Sequence, residues 1–429
     1  MSNTDYRFET LALHEGLQVG GDDPSRAVPV ARTVAYNFKN TDHAADLFGL
    51  RELGYIYSRI MNPTQDVLEK RISALEGGAA SLAVASGTSA VFYSIINIAT
   101  KGTEVVSGSN LYGGTFTMFN NILPDYGITV RFADPMDPAA IEKQINEKTR
   151  AVYIESIGNP SLNVPDFEAI AAVAHKYGLP LIVDATFTTP ALFRAIEHGA
   201  DIVVNSLTKW IGGHGTAVGG IVTDSGRFNW KSEKFPTLNE PEPSYNNIRF
   251  AHDLGELSPL AYILRMRVVP LRNLGAAIAA DNAWMLLQGI ETLSLRMERH
   301  SQNAMAVAEY LEKHPKVSWV RYPGLSNDAS NANAKKYFAN GFGGVIVFGI
   351  KGGAQAGAGF INSLQLLSHV ANVGDAKSLA IHPASTTHSQ LNEDQQRDAG
   401  VPPEMIRLSI GIEHIDDIIA DIEHGLAAV

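Results

Sequence analysis

The 429-residue chain contains no cysteine. Disulfides, thiolate metal sites and cysteine nucleophiles are excluded outright, and a reducing cytoplasm is the expected compartment. No apolar run approaches the ~20 residues needed to cross a bilayer. The opening residues, Met1 to Glu9, lack the basic and apolar regions of a signal peptide. Charged residues make up only 18% against 45% hydrophobic, the balance of a soluble globular protein. The formal charge of −11 argues against nucleic acid or an anionic membrane as the main partner. A small phosphate ligand needs only a local cluster of donors and is not excluded. Internal repeats and low-complexity tracts are absent, as is the Gly-x-Ser-x-Gly elbow of a serine hydrolase. His214 stands alone in Gly-Gly-His-Gly, and His382 and His388 flank Pro-Ala-Ser-Thr-Thr without a partner at ligand spacing. They read as structural hydrogen-bonders, and no metal site is expected.

The length predicts two or three domains. Residues 1–60, rich in Gly, Asp and Pro and poor in helical periodicity, read as an arm that needs something outside itself to order it. Asn62 and Pro63 then cap and open a helix that Gly77-Gly78 stops. From residue 81 short apolar strands (81–85, 104–107, 129–132, 151–155, 181–184, 202–205, 219–223) alternate with helices (88–100, 115–126, 138–147, 167–177). Strands of continuous Val, Ile and Ala between helices predict a mainly parallel sheet covered on both faces. The alternation ends near Arg227, and a polar, Pro-rich loop follows over 235–244. A long helix is expected over 254–288, kinked or broken at Pro270. Beyond Gly289 a smaller α+β region has strands at 317–321, 344–350, 364–368 and 405–410 and a closing helix at 415–426. The expected layout is an arm (1–60), a large α/β domain (61–265), and a connecting helix with a small α+β domain (266–429).

Ligands of open parallel sheets bind outside the carboxyl ends of the strands, and several suggestive groups fall there. The run Ile202-Val-Val-Asn-Ser-Leu-Thr-Lys209 brings Ser206, Thr208 and Lys209 from a buried strand into a glycine-rich loop. Desolvation at such a place lowers a lysine pKa and frees the amine for a Schiff base; a lone strand-end lysine more often just reaches solvent. Ser86-Gly87-Thr88 joins a strand to a helix whose free N–H groups suit a phosphate, although many such turns carry Gly for geometry alone. Asp184 ends another buried strand, as a helix cap or as the acidic partner of a pyridine nitrogen. Tyr112 lies in a loop after a strand, where its ring could stack on a cofactor. Tyr57 and Arg59 precede the capped helix, and a guanidinium fork suits phosphate; most lone arginines are only surface charges.

Taken in order, Tyr-Ser-Arg-x-x-Asn-Pro-Thr (57–64), Ser-Gly-Thr (86–88), Leu-Tyr-Gly-Gly-Thr (111–115), Gly-Asn-Pro (158–160), Val-Asp-x-Thr-Phe (183–187) and Ser-x-Thr-Lys (206–209) are far more specific. The set resembles the Cys/Met-metabolism family of pyridoxal-phosphate (PLP) enzymes over nearly the whole chain. The resemblance implies the aspartate-aminotransferase-like fold (PLP fold type I) and PLP as cofactor. It implies Lys209 as Schiff-base and proton-transfer lysine, and Asp184, followed by Thr186, as the pyridine-nitrogen side. Tyr112 becomes the ring-stacking and catalytic tyrosine, with Gly87, Thr88, Ser206 and Thr208 on the phosphate. Tyr57 and Arg59 are implied to reach the phosphate of a neighbouring subunit, so the site needs a homodimer, usually paired into a tetramer. Asn159, Ser378 and Arg407 are implied to meet the substrate, the last two clamping its carboxylate. Two positions depart from the pattern: Ala185 stands where Asn is common, which is expected to loosen the support of Asp184, and Trp210 where Tyr is common. Trp-Ile-Gly-Gly-His-Gly-Thr-Ala, Asn-Glu-Pro-Glu-Pro-Ser-Tyr and His-Pro-Ala-Ser-Thr-Thr-His resemble the branch that joins O-acetyl-L-homoserine and sulfide to give L-homocysteine. Methionine γ-lyases, which carry Cys where this chain has Gly114, and cystathionine γ-synthases are the rival readings. A silent homologue would be expected to lack Lys209 or Asp184.

Overall fold

The computed structural model describes residues 6–17, 24–386 and 400–429. The apolar runs form strands β1 (Ala80–Val84), β2 (Glu104–Gly108), β3 (Thr129–Ala133), β4 (Thr149–Glu155), β5 (Leu181–Asp184), β6 (Ile202–Asn205) and β7 (Gly220–Asp224). They make one sheet in the order β1-β7-β6-β5-β4-β2-β3. The sheet is parallel except for β7, which runs antiparallel to both its neighbours. Successive side chains go to opposite faces, so Val152 and Ile154 of β4 join one apolar cluster and Ala151 and Tyr153 the other. Burying each such side chain contributes about 1.5–3 kcal/mol, which is why these strands read as unbroken apolar runs. The second sheet contains β8 (Val317–Arg321), β9 (Val345–Ile350), β10 (Ser368–His369), β11 (Leu379–Ile381) and β12 (Met405–Ser409), in the order β10-β11-β12-β9-β8. Only β10 and β11 are parallel in it.

Local signals explain the helix ends. Asn62 accepts the Thr64 N–H, Pro63 opens the helix Pro63–Glu76, and Gly77 ends it at φ 72°. Ser86 caps the helix Gly87–Ile96 by accepting the Ser89 N–H.

The arm is more helical than its composition suggests. Phe8–His14 and Thr41–Phe48 are helices, the first packed on the large domain through Phe8, Leu11 and Ala12. Pro270 does not end the helical run at its own position: it lies in a π-helical turn, Arg267–Leu271, that interrupts the α-helix there. The break comes at Gly275 (φ 85°), and a new helix, Ala280–Glu291, follows. The strand expected at 364–368 is instead the connection from the helix Gly353–Ser363 to the two-residue β10. β11 escaped notice because three apolar residues in a polar stretch carry no period.

One buried contact ties the first long helix to the end of β6. Glu76 Oε1 accepts from Asn205 Nδ2 at 2.8 Å, while Glu76 Oε2 and Asn205 Oδ1 are both buried without a partner. Burial pushes the Glu76 carboxyl up to about 8, against the lowering effects of Asn205 and Arg194. The folded chain therefore keeps a proton that the unfolded chain releases in the ordinary carboxylate range. Stability attributable to this group is complete at acid pH and declines, by up to about 1.4 kcal/mol per pH unit, as pH rises to about 8. A glutamine can pair with Asn205 through both of its polar atoms and does not titrate. Glu76→Gln is accordingly expected to match the wild type in thermal midpoint near pH 5 and to exceed it increasingly up to pH 8; parallel melting curves across that range would contradict this.

Candidate active site

The carboxyl ends of β1, β4, β5 and β6 open on one cavity of about 250 Å³ lying between the two sheets, with Arg407 of β12 in its wall. Lys209, four residues past β6, is the amine in it. Its Nζ donates to Asn372 Oδ1 at 2.5 Å. Burial lowers its pKa, and the positive charge of Arg407 adds to the effect. Arg407 is itself drawn down to about 10 by burial and so stays charged at neutral pH. Its Nη1 donates to Asn159 Oδ1 at 3.3 Å.

Two carboxylates close the opposite side. Asp184 and Glu155 are register partners on β5 and β4. Both are raised, each mainly by burial; Glu155 is raised well above its ordinary value, with the charge of Asp184 adding to the effect. Asp184 Oδ1 accepts the Thr186 N–H at 2.9 Å and its Oδ2 accepts the Tyr153 hydroxyl at 3.2 Å. The support expected to be weak beside Ala185 thus comes from the neighbouring strand. Thr186 also accepts the Ser206 N–H through Oγ1 at 2.8 Å, tying the loop of Asp184 to that of Lys209.

The remaining wall is a cradle of neutral donors. Ser86 caps Ser89, which leaves the Gly87 and Thr88 N–H groups without intrahelical acceptors. The loop after β6 comes so close that a Cβ on Gly87 would lie 2.5 Å from Ser206 Cβ; only glycine fits. Thr208 Oγ1 lies in the same wall, donating to the Gly219 carbonyl and accepting the Gly219 N–H. Tyr112 overhangs the cavity with 53% of its surface exposed. A flat cationic ring with a phosphate arm fits this donor set: an acid at one end, N–H and hydroxyl groups at the other, an amine between and an aromatic face above.

The structure thus brings Lys209, Tyr112, Gly87, Thr88, Asp184, Thr186, Ser206, Thr208, Asn159 and Arg407 to one cavity. Ser378 is not brought there, which corrects its placement in a carboxylate clamp. It is fully buried in the small domain, its hydroxyl donating to Glu413 at 2.9 Å and accepting the Gly411 N–H at 2.8 Å. Asn372, six residues earlier, faces Lys209 instead. Tyr57 and Arg59 lie on a different, open surface beside residues 275–281. There the Arg59 guanidinium sits 5.3 Å from the Tyr57 ring centroid and donates to the Arg272 carbonyl. His214 bonds the Gly212 carbonyl, and both ring nitrogens of His382 are committed, to Ser385 and Pro403; His388 lies outside the described residues. Sequence reasoning missed Tyr153, Glu155 and Asn372. Period-two alternation along β4 places the first two on the face of Asp184; nothing local marked Asn372.

Comparison with known proteins agrees with this arrangement. The model of the Cys/Met metabolism PLP-dependent enzymes matches residues 9–427. An O-acetyl-L-homoserine sulfhydrylase of Leptospira meyeri is 53% identical, covering 98% of this chain and 97% of its own. A homocysteine synthase of Schizosaccharomyces pombe is 54% identical, with 98% of both chains covered. A Campylobacter jejuni crystal structure described as an O-acetylhomoserine (thiol)-lyase, carrying N'-pyridoxyl-lysine-5'-monophosphate, superposes with a TM-score of 0.93. It is 42% identical and covers 98% of this chain and 100% of its own. With the amine, acid and phosphate cradle that such a cofactor requires already in one cavity, the chain belongs to the PLP-dependent enzymes of Cys/Met metabolism.

Proposed function

We propose that this enzyme converts O-acetyl-L-homoserine and sulfide to L-homocysteine and acetate, as the names of its relatives at 53% and 54% identity indicate for them. The observation that carries the chemistry is the desolvated Lys209 amine beside Arg407. PLP held on Lys209 would supply an electron sink for negative charge developing at the substrate's α- and β-carbons. Burial and Arg407 both favour the neutral amine, the form that attacks an aldehyde and takes a proton. Lys209 Nζ removes the α-proton and relays a second from the β-carbon, acetate leaves the γ-carbon, hydrosulfide adds there, and Lys209 returns protons to the β- and α-carbons. Asp184 holds the proton on the pyridine nitrogen. Arg407 receives the substrate carboxylate, with Asn159 fixing its guanidinium and Asn372 in the same cavity.

The phosphate cradle in this chain offers only neutral donors among its described residues; the cations lining the cavity are Lys209 and Arg407. A phosphate dianion calls for a cation, and Arg59 is held on an outer surface with its fork over Tyr57. The reading is therefore a homodimer with shared sites, in which Arg59 and Tyr57 of one subunit serve the cradle of the next; the pairing of such dimers into a tetramer rests on the family resemblance alone. Among the described residues no helix is long and apolar enough to cross a membrane; with no cysteine in the chain, the cytoplasm is the proposed compartment.

Three measurements test this. Purified wild type is expected to form homocysteine from O-acetylhomoserine only when sulfide is supplied, and Lys209→Ala to lose at least roughly 10²–10⁴-fold of that rate with its bound visible chromophore; 2-oxobutyrate formed regardless of sulfide would make it a lyase instead. Arg407→Lys keeps the charge but not the fork, and its KM for O-acetylhomoserine should rise roughly 10- to 100-fold, from about 1.5–3 kcal/mol per hydrogen bond to a charged group. Lys209→Ala and Arg59→Ala, each inactive alone, should recover roughly a quarter of wild-type activity when co-expressed, because half of randomly paired dimers are mixed and each mixed dimer has one intact site. Failure to recover would remove the shared site.

A further inference from the structure

Glu155 has no part in the chemistry above, yet it is 8% exposed, lines the cavity and stands beside Asp184 in the sheet register. Both of its oxygens are committed. Oε1 accepts the Tyr112 N–H at 2.7 Å and Oε2 accepts the Asn159 N–H at 3.2 Å. The two residues so held belong to different loops, one after β2 and one after β4. Tyr112 covers the cavity, and Asn159 touches Arg407. A single carboxylate thus fixes the distance between the cover of the ring and the partner of the substrate-side guanidinium. Two backbone N–H groups would suffice for any small acceptor, and an amide or hydroxyl would be less costly to bury than a carboxylate. Burial beside Asp184 disfavours the anion of Glu155, and no described residue forms an ion pair with it, so a cationic group bound in the cavity would stabilise that anion. The titratable and charged groups around it are Asp184 on β5, Tyr153 on β4, Tyr112 after β2, Lys209 after β6 and Arg407 on β12.

Resting on the function proposed above, we propose that Glu155 is a positioning residue of this site: it couples the Tyr112 loop to the Asn159 loop and supplies a second negative charge, beside Asp184, for the cationic ring nitrogen of bound PLP. The two parts separate by substitution. Glu155→Gln keeps the volume and one acceptor but loses the charge, and Glu155→Asp keeps the charge but is too short to hold both loops.

Because burial and Asp184 raise the Glu155 carboxyl well above the carboxylate range, its anion is available at alkaline pH and is lost as pH falls. The dissociation constant of PLP from Glu155→Gln should then exceed that of wild type, by up to about tenfold, the size of one opposite charge within ~4–6 Å, and the ratio should grow as pH rises from 6 to 8. For Glu155→Asp it should stay near one over the same range. Turnover should fall 10- to 100-fold in both variants, as reacting groups misplaced by about 1 Å imply, with a smaller change in KM. A ratio for Glu155→Gln that is the same at pH 6 and pH 8, a tenfold loss of PLP affinity in Glu155→Asp, or wild-type turnover in either variant would overturn the proposal. Should the Gln variant not fold, the Asp variant alone still tests both parts through its affinity and its turnover. The affinity measurement needs no substrate, so its result stands apart from whether homocysteine is the product.

Discussion

Desolvation is the constraint on which this molecule's active end depends. An amine, a guanidinium and two carboxylates share a cavity of about 250 Å³. In water they would be independent charges; here burial moves Lys209 and Arg407 down and Asp184 and Glu155 up. Each shift goes toward the neutral form. For Lys209 that is the form the proposed chemistry uses, since a neutral amine attacks and accepts protons. Arg407 keeps its charge at neutral pH despite the shift, and for Asp184 an arriving cationic ring nitrogen would stabilise the anion that burial disfavours.

The sheet makes this arrangement possible at low cost. Parallel strands end together on one edge, so residues far apart in sequence gather there without a long loop. The register of β4 on β5 sets Glu155 beside Asp184, and Tyr153, two residues back on the same face, gives Asp184 a hydroxyl. Antiparallel β7 has a matching task. It separates β1 from β6, and Gly220, its first residue, lies so close to Ser86 that a side chain there would strike the backbone of the cradle. The small domain contributes through β12, whose register carries Arg407 to the cavity rather than into its own core.

What could be read from residue order follows from these facts. Apart from the edge strand β3, whose alternate residues are exposed, the strands of the large sheet are largely buried, so composition marked them and their ends marked Lys209 and Asp184. The Ser86–Thr88 turn announced itself through a cap followed by glycine. The small domain was harder, because its β10 and β11 are two and three residues long and give no period to detect. Ser378 shows the limit most clearly. A serine near a clamp motif looks like a donor for a carboxylate, but its hydroxyl is spent closing a turn against Glu413. Asn372 had no local mark, since its role comes from a contact with a residue 163 positions away.

The same contact bears on how cofactor and substrate share the cavity. While Lys209 is a free amine, Asn372 Oδ1 is engaged by it. Covalent attachment of a cofactor to Nζ would leave that amide free in the cavity whose wall also carries Arg407, the proposed partner of the substrate carboxylate. An amide rather than a hydroxyl suits this double use, because it carries both an acceptor for the amine and donors for the incoming anion. Loading the cofactor would then also arm the substrate side. The cost of exposing an unpaired Arg407 is limited meanwhile by Asn159, which Glu155 holds in place from below. Lys209 thus bonds Asn372, while across the same cavity Arg407 bonds Asn159, which Glu155 ties to the sheet.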